Sequence, residues 1–140
     1  MAALTCTLAS IANGAGRVSA RVDNRSDNKH EIGFRVRINS GSSAPTVGTP
    51  YLFYLHRQDD LTPSHSDDTV GEADAAVSTQ PDNSRQVGKI IVTADTDTVF
   101  ETSFTVYDPG PYWSLSMWNA TGQTISATEA DHYLRYDYLD

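Results

Sequence analysis

Hydrophobic and polar positions alternate with period two along much of the chain. Ile32, Phe34, Val36 and Ile38 are separated by Gly33, Arg35, Arg37 and Asn39. Val18, Ala20 and Val22 alternate with Arg17, Ser19, Arg21 and Asp23. Phe100, Thr102, Phe104 and Val106 alternate with Glu101, Ser103, Thr105 and Tyr107. Trp113, Leu115 and Met117 alternate with Ser114, Ser116 and Trp118. Successive side chains of a strand point to opposite faces, so each pattern predicts one core face and one wet face. The Thr, Val, Tyr, Phe and Trp content of these stretches suits strands. Strands are predicted over 4–11, 17–23, 31–39, 51–57, 87–94, 99–107, 112–119 and 123–136.

Turn chemistry punctuates them. Asn13-Gly14-Ala15-Gly16 separates the first two, and residues 23–29 are polar and turn-like. Asp108-Pro109-Gly110-Pro111 is a rigid corner, because proline fixes φ and glycine permits positive φ. Asn119-Ala120-Thr121-Gly122 is expected to close a hairpin. A short helix over 126–136, capped by Thr128, competes with extended structure; aromatic Tyr133, Tyr136 and Tyr138 favour the extended form. Two loops are long: 40–50, rich in Gly, Ser and Pro, and 59–85, acidic in its first half. A loop of the second length is usually functional or a covering flap. Many short strands in a single 140-residue unit predict an all-β fold: one two-sheet β-sandwich, jelly-roll-like, with a long acidic loop and an extended N-terminal segment. Residues 1–16 are expected to form an extended docking arm or an edge strand.

Composition narrows the partners. The formal charge is −8, which phosphate backbones repel, so neither nucleic acid nor an anionic membrane is an expected partner. No apolar run approaches the ~20 residues that span a bilayer. The N-terminus lacks a basic region before its mildly apolar stretch and is not read as a signal peptide. Cys6 is the single cysteine, which excludes an internal disulfide and a cysteine-built zinc site, and is expected as a small residue in the first strand.

Candidate chemistry is sparse. His30, His56, His65 and His132 lack metal-ligand spacing, and His132 is expected at a surface or interface. Asp59, Asp60, Asp67, Asp68, Glu72 and Asp74 form either a solvated loop, the favoured reading, or a Ca²⁺ site without the EF-hand order of ligands. No nucleophile elbow, Walker A loop or dinucleotide fingerprint is present. No catalytic residue, metal site or cofactor is therefore assigned. Trp113 and Trp118 differ in parity. Trp113 is expected in the core and Trp118 outside, near Tyr107 and Tyr112, as a contact anchor or sugar platform; a bulge would bury Trp118 instead.

The run Phe100, Phe104, Trp113-Ser-Leu-Ser-Met-Trp-Asn119-Ala-Thr121-Gly122-Gln123, Thr128, His132, Tyr136 resembles a set of small structural proteins of tailed phages. Tyr51-Leu-Phe53-Tyr54-Leu55, Asp67-Asp68, Gly71-Glu-Ala-Asp74-Ala75-Ala76 and Val87-Gly88-Lys89-Ile90 extend the likeness over residues 50–138. The resemblance implies a non-enzymatic virion component without catalytic residues. The expectation built on it is a capsid decoration, or cement, protein on the outer capsid surface, partnered by the major capsid protein and by itself as a homotrimer. Tyr107, Tyr112, Trp118, His132 and Tyr136 are the candidate interface. A tail, neck or fibre-associated module and a carbohydrate-binding module are the alternatives.

Overall fold

In strand β4 (Glu31–Asn39), Ile32, Phe34, Val36 and Ile38 are buried, as their alternation requires. The computed structural model describes residues 1–140, the side chain of Pro63 excepted. Around β4 run β1 (Ala2–Ala3), β2 (Ala15–Val18), β3 (Val22–Asp23), β5 (Pro50–Gln58), β6 (Ala75–Val77), β7 (Arg85–Ile91), β8 (Val99–Tyr107), β9 (Tyr112–Asn119) and β10 (Tyr133–Tyr138). Single 3₁₀ turns lie at Pro63–His65 and Glu129–Asp131, and Asp67–Thr69 is a tight turn with Asp68 and Thr69 at positive φ.

The strands form two antiparallel sheets. One has the order β1-β10-β4-β8 and the other β6-β2-β9-β5-β7, with β3 also on β9. With the short β3 and β6 set aside, eight strands remain. The first, eighth, third and sixth share one sheet; the second, seventh, fourth and fifth share the other. That is the jelly-roll order, two Greek keys wound together. Consecutive strands therefore mostly cross between layers, and the core fills the space between them.

Phe34 anchors this core. Its ring centroid lies 5.3 Å from Phe104 of the same sheet and 5.5 Å, edge-on, from Trp113 of the facing sheet. Phe53 reaches Phe104 at 5.7 Å, and Trp113 meets Tyr136 edge-on at 5.0 Å. Gly88 of β7 makes room for the Phe104 ring: a Cβ there would stand 2.5 Å from its Cδ1.

Several expected elements differ. Residues 4–11 form no strand. Leu4, Leu8 and Ile11 are buried at a spacing of four and three, and the segment fills the core in irregular form. The 17–23 strand is split. The Ser19 hydroxyl accepts the Leu115 N–H at 3.1 Å, and the N–H groups of Ala20 and Arg21 turn to Thr5 and Glu72 carbonyls. The Asn119–Gly122 turn closes no hairpin, since β9 and β10 belong to different sheets. Residues 123–132 are a crossing segment with one 3₁₀ turn, and the strand begins only at Tyr133.

Residues 1–16 lie against their own sandwich. Ala2 and Ala3 pair with Tyr136 and Arg135 at the edge of the smaller sheet. Glu129 accepts the Leu8 and Ala9 N–H groups at 2.8 and 2.6 Å, which holds the segment in place.

Candidate functional site

The outer face of the larger sheet is built from β5 and β9. Parity sends Tyr54, His56 and Gln58 of β5, and Tyr112, Ser114, Ser116 and Trp118 of β9, away from the core. All seven are nonetheless buried. The segment 59–85 folds over them as a flap. Its β6 extends the sheet beyond β2. Gln80 donates to the Tyr54 hydroxyl at 3.0 Å, and Gln58 donates to the Asp60 carbonyl at 2.6 Å.

Beneath the flap runs a chain of four polar side chains. Asp68 accepts from the Ser84 hydroxyl. Having donated its one proton there, Ser84 Oγ accepts from His56 Nδ1 at 2.6 Å. His56 Nε2 is thereby left with its lone pair, which accepts the Ser116 hydroxyl at 2.6 Å. The donor inventory thus fixes the imidazole tautomer. Burial holds the His56 pKa below the ordinary histidine value, outweighing the opposing pull of Asp68. Burial pushes the Asp68 carboxyl up. Hydrogen bonds from Ser84 and from the N–H groups of Asn83 and Asp82 more than offset this and leave it below the usual range.

The serine–histidine contact has the form of a nucleophile and its base. Ser116, however, is 1% exposed and sits mid-strand between two paired neighbours. The sheet and the flap cover its hydroxyl on all sides. A cavity of about 380 Å³ lies beside the chain, lined among others by Val18, Asp68, Val70, Ala75, Val77 and Gln80.

The acidic residues of the flap are dispersed among separate partners. Asp59 pairs with Arg57, Asp60 with His65, Glu72 with Arg21, and Asp74 with Arg17 at 2.6 Å. Among the described residues, no group of three or more His, Cys, Asp or Glu is placed to hold a metal ion.

Of the five residues expected at an interface, only Tyr107 is openly exposed, at 60%. Trp118 does point away from the core, but it is only 7% exposed and its indole lies across Gly16 of β2. Tyr112 is buried between two guanidinium groups, Arg21 at 4.4 Å and Arg25 at 4.8 Å from its ring centre. His132 is buried too: its Nδ1 accepts the Asn39 N–H at 3.1 Å and its Nε2 donates to the Ser126 carbonyl at 2.9 Å. Tyr136 is half-buried against Trp113. The surface reading of Trp118, Tyr112 and His132 is therefore corrected. Their covers come from chain segments remote in sequence.

The Asn-x-Thr-Gly-Gln run is likewise internal. Asn119 Nδ2 donates to the Ile11 and Gln123 carbonyls at 3.0 and 2.7 Å, and its Oδ1 accepts from the Thr121 N–H and hydroxyl at 3.1 and 2.7 Å. This fully satisfied amide clips the N-terminal segment to the point where the chain leaves the larger sheet. Comparison of the chain with protein-family models, curated proteins and solved structures finds no match.

Proposed function

We propose that the chain is a capsid decoration protein of a tailed phage, acting by adhesion to the outer shell. The observation that carries this reading is the jelly-roll strand order, an architecture that viral capsid domains share with lectins and cupins; the phage resemblance of residues 50–138 selects the first. Asn119 and His132, both in the run that carries the phage resemblance, hold the crossing segment, which supports a scaffold role for that run. A protein that binds the expanded shell and not its free subunits shifts the equilibrium toward the shell. Many copies on one closed surface multiply modest contacts. Of the three aromatic residues on which a carbohydrate-binding reading rested, Trp118 and Tyr112 are buried and Tyr107 alone is exposed, which favours the adhesion reading.

The test is reconstitution. Purified protein is added to expanded heads that lack it, and binding is followed by co-sedimentation and particle reconstruction. Density over the shell, with a raised temperature of DNA release, is expected. Density at the tail or neck alone, or no binding to heads, overturns the reading.

A further inference from the structure

Three of the four sheet edges are blunted. β1 has two residues and β6 has three. β7 has a register shift between Phe53 and Tyr54 of its neighbour and carries Arg85 and Lys89. Short length, bulges and cations are the usual protections of an edge. β8 has none of them. It runs nine residues, Val99–Tyr107, in unbroken register with β4, and contains no proline, lysine or arginine. Its backbone pairs with β4 alone, so its outward N–H and C=O groups have no backbone partner within the chain, and a groove separates it from β7 of the facing sheet. Its one carboxylate, Glu101, is held by Arg35 at 3.1 Å and by the Tyr133 hydroxyl at 3.1 Å. Val99 and Tyr107, at its two ends, are exposed at 41% and 60%, and inward-facing Phe100 and Phe104 are only partly covered.

We infer that β8 pairs with β8 of a second copy of this chain, antiparallel and centred on Ser103. That register uses all nine residues. It sets Val99 against the partner copy's Tyr107 twice, Glu101 against Thr105, and Ser103 against itself. No like charges meet, and each exposed apolar side chain gains an apolar neighbour. On the inner face, Phe100 meets Val106 and Phe104 meets Thr102, so the open margin of each core is covered. A shift of two residues in either direction loses part of the overlap and separates Val99 from Tyr107. The two small sheets join into one continuous eight-stranded layer, and main-chain hydrogen bonds supply the affinity. A two-fold contact of this kind closes at two copies. The inference stands apart from the virion reading, because it concerns the isolated chain.

Sedimentation equilibrium of the purified chain reads the mass. Twice the chain mass is expected. Ser103→Lys places two ammonium groups opposite each other on an exposed face, with Arg35 of β4 alongside in each copy, and raises the dissociation constant by about two- to fivefold, with unchanged circular dichroism. In a Cys6→Ser background, Ser103→Cys cross-links to a dimer under mild oxidation, because directly opposed antiparallel residues have a Cα separation of about 4.5–5.5 Å. Thr105→Cys in the same background faces Glu101 and stays uncrosslinked. A monomer at high concentration, a trimer indifferent to Ser103→Lys, or equal cross-linking at 103 and 105 overturns the inference.

Discussion

His56 Nε2 lies 2.6 Å from Ser116 Oγ, while its other nitrogen reaches Ser84 on the flap. A single buried imidazole therefore joins the sheet to the segment that covers it. Removing it leaves the Ser116 hydroxyl without an acceptor and takes a donor from Ser84 Oγ. His56→Ala is expected to cost about 2–4 kcal/mol, since buried polar partners are left unsatisfied. Chemical denaturation measures the loss. Hydrogen exchange over 75–85 should rise with it, and by more than exchange in β4.

The same imidazole gives an acid slope of definite sign. Burial depresses the folded-state pKa of His56 below its ordinary value of 6.5. The unfolded chain then takes up the proton first, so stability is full above about pH 6.5 and declines as pH falls through that value. Denaturation midpoints measured from pH 7.5 to 5 should show the decline. His56→Gln should flatten it. An unchanged slope would assign the effect elsewhere.

Asn119→Ala leaves the Thr121 N–H without an acceptor and strips one donor each from the Ile11 and Gln123 carbonyls, which keep only the Ile125 N–H and a long contact from the Thr121 hydroxyl. A loss of about 2–4 kcal/mol is expected. Limited proteolysis should then cut first in residues 5–13, because the amide clips that segment down. Cleavage confined to the flap would contradict this.

Gly88→Ala drives a methyl group into the Phe104 ring. Overpacking of a filled core costs about 1–3 kcal/mol. Gly88→Ala with Phe104→Leu should recover part of the loss, and a thermal-melt cycle over the four variants reads the coupling.

Cys6 reports the same core from the other end. Burial, reinforced by the Asp74 carboxylate and only partly offset by Arg17, pushes its thiol up beyond the ordinary range. Thiolate is the reactive form. Labelling by a disulfide reagent at pH 8 should be slow in the native protein and complete in denaturant. Asp74→Asn, which frees Arg17 and Thr7, should speed native labelling.

Local alternation was enough to read β4 and β8, whose nine-residue spans agree with the expectation. It also separated the faces of Trp113 and Trp118. It could not read what lies over a face. Trp118 and Tyr112 follow the parity of outward residues, yet a neighbouring glycine, two arginines and a flap bury them. The Asn119 turn carries a hairpin's residue types, but which sheet receives the next strand depends on pairing with distant β4. Leu4, Leu8 and Ile11 follow neither a strand's period nor a helix of useful length, because they fill gaps between layers laid down by other segments. The His56 chain had no local signal at all. Its members stand at 56, 68, 84 and 116, and only the folded flap brings them together.

The placement of β10 bears on how the molecule assembles. Residues 133–138 occupy an interior lane, with β4 on one flank and Ala2–Ala3 on the other. Until they arrive, the smaller layer is a bare β4–β8 ribbon and the Phe34–Trp113 contact has no lid from Tyr136. Joining such distant stretches must overcome a large loop-closure entropy before any contact rewards it, so acquisition of structure should be slow, on the order of milliseconds to seconds, and concerted.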